Sequence, residues 1–202
     1  MAAVELHVGV DFDNTIVCYD EVFHRLALDE ALIPSSLPCD KTSVRDFLRA
    51  AGREDRWTAM QAIAYGERMP EARPFPGVQD FFTACAERSL RVSIISHRTR
   101  LPIVGEPCDL HAAAFRWLEA NGLVDLVSHA SIHFLETRAG KVVQVGEAGC
   151  THFIDDLPEF LAEPLLPRAL RRILFDPARV TRAKPELTVA ASWAEIRTIF
   201  AV

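Results

Sequence analysis

The stretch Leu6–Thr15, read Leu6-His7-Val8-Gly9-Val10-Asp11-Phe12-Asp13-Asn14-Thr15, carries most of the fold information in this chain. A short run dominated by apolar residues breaks at Asp11 into a polar cluster. Strands buried on both faces of a parallel sheet read as such runs, and open α/β sheets place their sites beyond the carboxyl ends of the strands. Asp11 and Asp13 are two residues apart, so in extended geometry their side chains point to one side.

Similar runs recur downstream. A second strand is predicted at 92–95, ending in Ser96-His97-Arg98-Thr99, and others at 131–135, 151–154 and 172–175. Helical spacing fills the gaps between them. Pro76-Gly77 opens a segment whose Val78, Phe81, Phe82 and Cys85 fall at i, i+3, i+4 and i+7. Asp109 is placed to cap a helix carrying Leu110, Ala114, Trp117 and Leu118 on one face, with Asn121-Gly122 as its stop. A last amphipathic helix is predicted over 193–200. Alternating strands and helices imply an α/β fold: a Rossmann-like, mostly parallel sheet with helices on both faces.

The spacing between the first two strands is too long for a simple crossover. A strand–helix–strand unit takes about 30 residues, and the helix opening near Pro76 already supplies one. Roughly 50 residues are left over, too many for a structureless loop in a compact domain. They contain helix-like segments at 21–31, 43–51 and 56–65 and end among Pro70, Pro74 and Pro76. The expected organisation is therefore a core of residues 1–17 and 75–202 with an inserted helical cap of 18–74. The insertion acts either as a lid or as a plain elaboration of the core. Trp57, Met60 and Tyr65 are expected in the interior of that layer.

Composition narrows the class. Of 202 residues, 50% are apolar and 25% charged, which excludes disorder, and the net charge of −6 argues against nucleic acid as a partner. The five cysteines are scattered without a CxxC pair and read as reduced thiols. No run approaches the roughly 20 apolar residues that span a bilayer. The N-terminal sequence shows no basic segment followed by an apolar one. The expectation is a cytoplasmic protein with no membrane partner. His129 and His133 stand at i, i+4 across a loop-to-strand passage, which is poor geometry for zinc.

Two acidic motifs carry the chemistry. The chain has 13 Asp residues, so about 0.8 adjacent Asp pairs arise by chance, but only about 0.04 instances of Asp-x-Asp-x-Thr. Asp11-Phe12-Asp13-Asn14-Thr15 is therefore informative, and Asp155-Asp156, at the end of another apolar strand, becomes so beside it. Clustered carboxylates need a compensating cation, and Mg²⁺ is the usual hard partner of carboxylates and phosphate oxygens.

With Ile94-Ile95-Ser96 closing the second strand and Lys141 preceding the acidic pair, the chain resembles the haloacid dehalogenase superfamily of Mg²⁺-dependent phosphohydrolases over nearly its whole length. The resemblance implies Asp11 as nucleophile, Asp13 as general acid and base, Ser96 as a hydrogen-bond donor to the phosphoryl group and Lys141 as its charge partner. It implies Mg²⁺ held by Asp11, Asp13 (through its carbonyl), Asp155 and Asp156, with Asp156 acting through water or orienting Lys141. Thr15 would brace the loop, and Asn14, Thr15, His97 and Arg98 are expected at the substrate. Lys41 and Lys184 are the competing lysines. Arg68, Arg73, Arg98 and Arg100 are either anion contacts or solvated charges. Asp13 favours phosphate-ester chemistry over dehalogenation, because an alkoxide leaving group needs a proton. The implied activity is phosphate release from a small phosphorylated metabolite, of the sugar phosphate or nucleotide class. A phosphomutase or phosphotransferase, or a phosphate-sensing binding protein without turnover, stands as the alternative.

Overall fold

The computed structural model describes residues 5–127, 131–182 and 186–202, so His129 and Lys184 lie outside the described residues. In chain order the elements are β1 (His7–Val10), β2 (Val17–Cys18), α1 (Asp20–Asp29), α2 (Lys41–Ala50), α3 (Glu54–Tyr65), a 3-10 turn at Met69–Glu71 and β3 (Arg73–Pro74). There follow α4 (Val78–Glu87), β4 (Arg91–His97), α5 (Leu110–Ala120), α6 (Leu123–Val127), β5 (Ile132–Leu135) and α7 (Arg138–Glu147). The chain continues through β6 (His152–Asp155), α8 (Pro158–Leu161), β7 (Arg171–Phe175), β8 (Leu187–Ala190) and α9 (Trp193–Phe200).

Among the described residues, six strands form one parallel sheet in the order β5-β4-β1-β6-β7-β8, and β2 pairs with β3. The expected Rossmann-like arrangement is present. From β1 the chain first builds outward through β4 to β5, then returns to the other side for β6, β7 and β8. The carboxyl end of β1 is thus the point where strand order reverses, the position where open α/β sheets form a crevice.

Both faces of the sheet are covered. On one, Ile95, Phe153 and Leu174 from the strands pack with Val142, Val145, Phe160 and Leu161. On the other, Trp193 of α9 lies against Phe81 and Phe82 of α4 and Phe175 of β7, with ring centroids 5.1 to 6.1 Å apart. The four apolar positions read from α4, Val78, Phe81, Phe82 and Cys85, are all buried. The Asp109 side chain accepts from the Ala112 N–H at 2.9 Å, as its cap position requires. The elements without a forecast are the two-residue strands β2 and β3, the 3-10 turn, and those with weak periodicity: α6, α8, β8 and above all α7, which the sequence allows to be a solvated turn. Gly140 and Gly146 blur its pattern, but Thr137 caps it by accepting from the Gly140 N–H at 3.0 Å.

By contact the chain separates into two units. One takes in the chain up to Ile16, Pro74–Arg98 and Asn121 onward; the other is Val17–Arg73 with Thr99–Ala120. The sequence reading assigns 99–120 to the core, yet α5 clusters with the inserted helices. Two contacts account for this: the Trp117 indole N–H donates to the Ala72 carbonyl at 2.8 Å, and Gly66 admits the Cys108 sulfur so closely that a Cβ would lie 2.7 Å from it. Within this unit Trp57 stacks on Phe23 at 4.6 Å, Met60 is buried, and the Lys41 ammonium donates to the Tyr65 hydroxyl at 2.9 Å. Among the described residues no helix is long and apolar enough to cross a membrane.

Gly9, in the middle of β1, is a packing requirement. A Cβ there would overlap the Phe153 ring and lie 2.9 Å from the Cys150 sulfur. Gly9→Ala should lower unfolding free energy by about 1–3 kcal/mol, measured as a reduced urea midpoint at unchanged slope.

Candidate active site

The site is assembled from the carboxyl ends of three neighbouring strands. The β1–β6 ladder extends one residue past β1, because the Asp11 N–H donates to the Ile154 carbonyl at 2.9 Å. This fixes the backbone from which the Asp11 side chain leaves. Ser96, near the end of β4, donates from Oγ to Asp11 Oδ1 at 2.8 Å. Lys141, in the first turn of α7, donates from Nζ to the same oxygen at 2.5 Å and to Asp155 Oδ2 at 2.6 Å. Asp155 closes β6, and its Oδ1 accepts from the Leu157 N–H at 2.9 Å. All four side chains are buried.

Beyond Asp11 the chain turns sharply. Asn14 has φ +60°, a left-handed conformation that Asn tolerates better than most residues. The turn buries Thr15, whose Oγ1 lies 3.4 Å from Asp156 Oδ1 and whose carbonyl accepts from the Trp193 indole at 3.1 Å. Asp13 Oδ1 accepts from Arg98 Nη1 at 2.6 Å. His97, at the end of β4, is exposed. The structure thus gathers Asp11, Ser96, Lys141, Asp155 and Asp156 around one point, with Asp13 and Arg98 joined beside it.

The electrostatics follow from burial. Burial works against the Lys141 ammonium, but the Asp11 and Asp155 carboxylates outweigh it and hold the group charged, above the usual lysine range. The Phe160 and Phe153 rings add π-faces at 4.1 and 5.4 Å. One ammonium cannot compensate two buried carboxylates. Burial therefore pushes the Asp155 carboxyl up to about 7, against the attraction of Lys141 and with the help of the neighbouring Asp11 charge.

Ligand oxygens of Asp11, Asp155 and Asp156 lie within 4.8 Å of one another, the one such group of metal-ligating side chains among the described residues. Oxygen-only donors suit a hard divalent cation.

Two of the other arginines named from the sequence have carboxylate partners of their own, and Arg73 is exposed. Arg100 pairs with Asp109 at 3.0 Å, and Arg68 with Glu71 and Asp29. The contributions that sequence reasoning missed are the aromatic cover of Lys141, the indole tie from Trp193 to the Thr15 carbonyl, and the partner that Arg98 takes. The Trp193 contact spans 178 positions, and no local pattern signals it.

The fold has many counterparts among solved structures, several of which share it over nearly their full lengths. A predicted phosphoglycolate phosphatase from Haemophilus somnus is 15% identical, with a TM-score of 0.59, over 99% of this chain and 100% of that one. A protein of Bacillus subtilis, described as a HAD hydrolase and bound to magnesium, is 12% identical with a TM-score of 0.58, over 99% and 100%. A HAD family hydrolase from Deinococcus radiodurans, with phosphate and sodium bound, is 16% identical with a TM-score of 0.57, over 99% and 96%. The chain has the haloacid dehalogenase-like fold. No protein-family model matches the sequence, and no curated protein does either.

Removing the Lys141 ammonium should unmask the strain between the carboxylates. Lys141→Met is expected to cost about 3–5 kcal/mol of stability at pH 8, measured by urea unfolding. A buried carboxyl whose folded pKa lies above its unfolded value loses stability as pH rises, so the deficit should shrink at pH 5.

Proposed function

We propose that the chain is a Mg²⁺-dependent phosphohydrolase that releases phosphate from a small phosphorylated metabolite through an aspartyl-phosphate intermediate. The observation that carries this reading is the convergence on Asp11. Its carboxylate receives Ser96 and Lys141 on one oxygen and stands within metal-sharing distance of Asp155 and Asp156. The magnesium and the phosphate bound in the Bacillus and Deinococcus structures support it.

In the proposed reaction an Asp11 carboxylate oxygen attacks phosphorus, and the bond from phosphorus to the ester oxygen breaks. Asp13 gives its proton to the departing oxygen. Asp13, now a carboxylate, takes a proton from water as that water attacks phosphorus, and the bond to Asp11 breaks to free phosphate. Lys141 and Ser96 hold the nucleophile and sit where phosphoryl charge develops. Asp11, Asp155 and Asp156, with the Asp13 carbonyl, would hold Mg²⁺. When bound there, the ion would supply the positive charge that phosphoryl oxygens need beside carboxylates. Asn14, Thr15 and His97 are read as flanking the substrate. The core of 1–17 and 75–202 carries the phosphate chemistry in this reading, and the insertion of 18–74 chooses the ester.

Two measurements test the proposal. Phosphate release from a panel of phosphorylated sugars and nucleotides should require Mg²⁺ and vanish in Asp11→Asn, whose folded state is retained because the amide is isosteric. Failure of the wild type to release phosphate from any panel member would overturn the reading. Independently of turnover, Mg²⁺ at 100 times its Kd should stabilise the wild type by about 2.7 kcal/mol in thermal unfolding, and this gain should be lost in Asp155→Asn.

A further inference from the structure

Arg98 is the most buried arginine partner of any carboxylate in the site, and its placement differs from that of a substrate clamp. Its backbone N–H donates to the Leu135 carbonyl at 2.9 Å, continuing the β4–β5 ladder past His97. Its guanidinium carbon lies 5.8 Å from the centroid of the Phe12 ring, and Phe12 packs edge-on against Phe134 at 5.3 Å. Phe12 is the residue between Asp11 and Asp13. Backbone ladder and ring therefore fix the guanidinium from two directions, and it meets Asp13 Oδ1 at 2.6 Å.

Exposure separates the two roles open to such an arginine. The Arg98 side chain is 2% exposed, whereas that of Asp13 is 19% exposed. A clamp that captures an anion from solution presents its guanidinium to solvent. Here the pair presents the carboxylate and keeps the guanidinium behind it. An ion pair serving only to brace the loop would satisfy burial too, but bracing does not require the partner to be the carboxylate two residues beyond the nucleophile. Proton transfer does require that carboxylate to be held still, since a displacement of about 1 Å costs on the order of 10²-fold in rate.

We propose that Arg98 is a positioning residue: it holds the Asp13 carboxyl in the orientation for proton transfer and acts on the reaction through Asp13, without binding substrate. The inference rests on the phosphohydrolase reading above. It has a signature in the leaving group. An alkoxide must be protonated as it departs, whereas p-nitrophenolate departs with little help, so loss of an Asp13-dependent function should be selective for alkyl esters.

The test is a double-mutant cycle on wild type, Arg98→Gln, Asp13→Asn and the double variant. Each is assayed with Mg²⁺ on β-glycerophosphate and on p-nitrophenyl phosphate, with folding checked by circular dichroism. Arg98→Gln should lower kcat on β-glycerophosphate about 100-fold, with KM changed less than about twofold, and should lower kcat on p-nitrophenyl phosphate less than about tenfold. In the Asp13→Asn background, removing Arg98 should cost less than about threefold on either ester, because the positioned group is already gone. Arg98→Lys, which keeps the charge but not the fork, should recover part of the alkyl-ester activity. If Arg98→Gln does not fold, Arg98→Lys, which leaves the Asp13 carboxylate a cation but not the fork, carries the same two-ester comparison. A rise in KM on both esters that persists in the Asp13→Asn background would overturn the inference and make Arg98 a substrate contact. Equal losses of kcat on both esters from Arg98→Gln would overturn it in favour of a bracing role. A wild type that hydrolyses neither ester, nor any panel member, would instead remove the phosphohydrolase reading itself.

Discussion

One ammonium stands between two buried carboxylates, and much of the core is arranged to keep it there. Lys141 touches Asp11 at 2.5 Å and Asp155 at 2.6 Å. Each partner comes from a different part of the sheet or its helices. Burying any one of the three charges alone would cost several kcal/mol, so each is tolerated only in the presence of the others. The triad fixes how β1, β6 and α7 must meet: β6 must lie beside β1, and the first turn of α7 must point at their shared end. The parallel register supplies the first condition, with Val10 opposite Ile154. The Thr137 cap supplies the second by starting α7 one turn before Lys141.

The same triad is under-compensated, and this shapes its chemistry. Two carboxylates around one ammonium leave Asp155 poised to take a proton unless further positive charge arrives. A site of this kind has stability set aside for a ligand. The Ser96 hydroxyl and the Lys141 ammonium are already aimed at one Asp11 oxygen, held there by the packing around them.

Much of this is legible in the sequence, for reasons that differ from residue to residue. Asp11, Asp13 and Asp155 can be found because they interrupt apolar strands, and a carboxylate at such a boundary is rare enough to notice. The parallel sheet is implied by the alternation of strands and helices, and the inserted helices by the excess length before Pro76; the strand order is not. Lys141 was harder to place. Gly140 and Gly146 erase the helical period of α7, so the residue reads equally well as part of a turn. Only the buried triad shows why it is there. Arg98 could be named but not aimed, because whether its guanidinium turns outward or toward Asp13 depends on Phe12 and Phe134, two rings brought together by β1 and β5. The affiliation of 99–120 escaped local patterning for a similar reason: an indole-to-carbonyl bond across 45 positions decides it.

The distances along the chain between residues that meet around Asp11 have a consequence for how the protein is made. Asp11 meets Ser96 across 85 positions, Lys141 across 130, and Trp193 reaches the Thr15 carbonyl across 178. A growing polypeptide emitted residue by residue holds Asp11 long before its cation has been synthesised. During that interval β1 can pair with β4, and β4 with β5, but β1 presents an open edge where β6 will dock, and its terminal carboxylate must remain hydrated. Closure of that edge and neutralisation of that charge occur together, when the stretch carrying α7 and β6 leaves the ribosome. Completion of the carboxylate–ammonium cluster is thereby tied to late, long-range strand insertion.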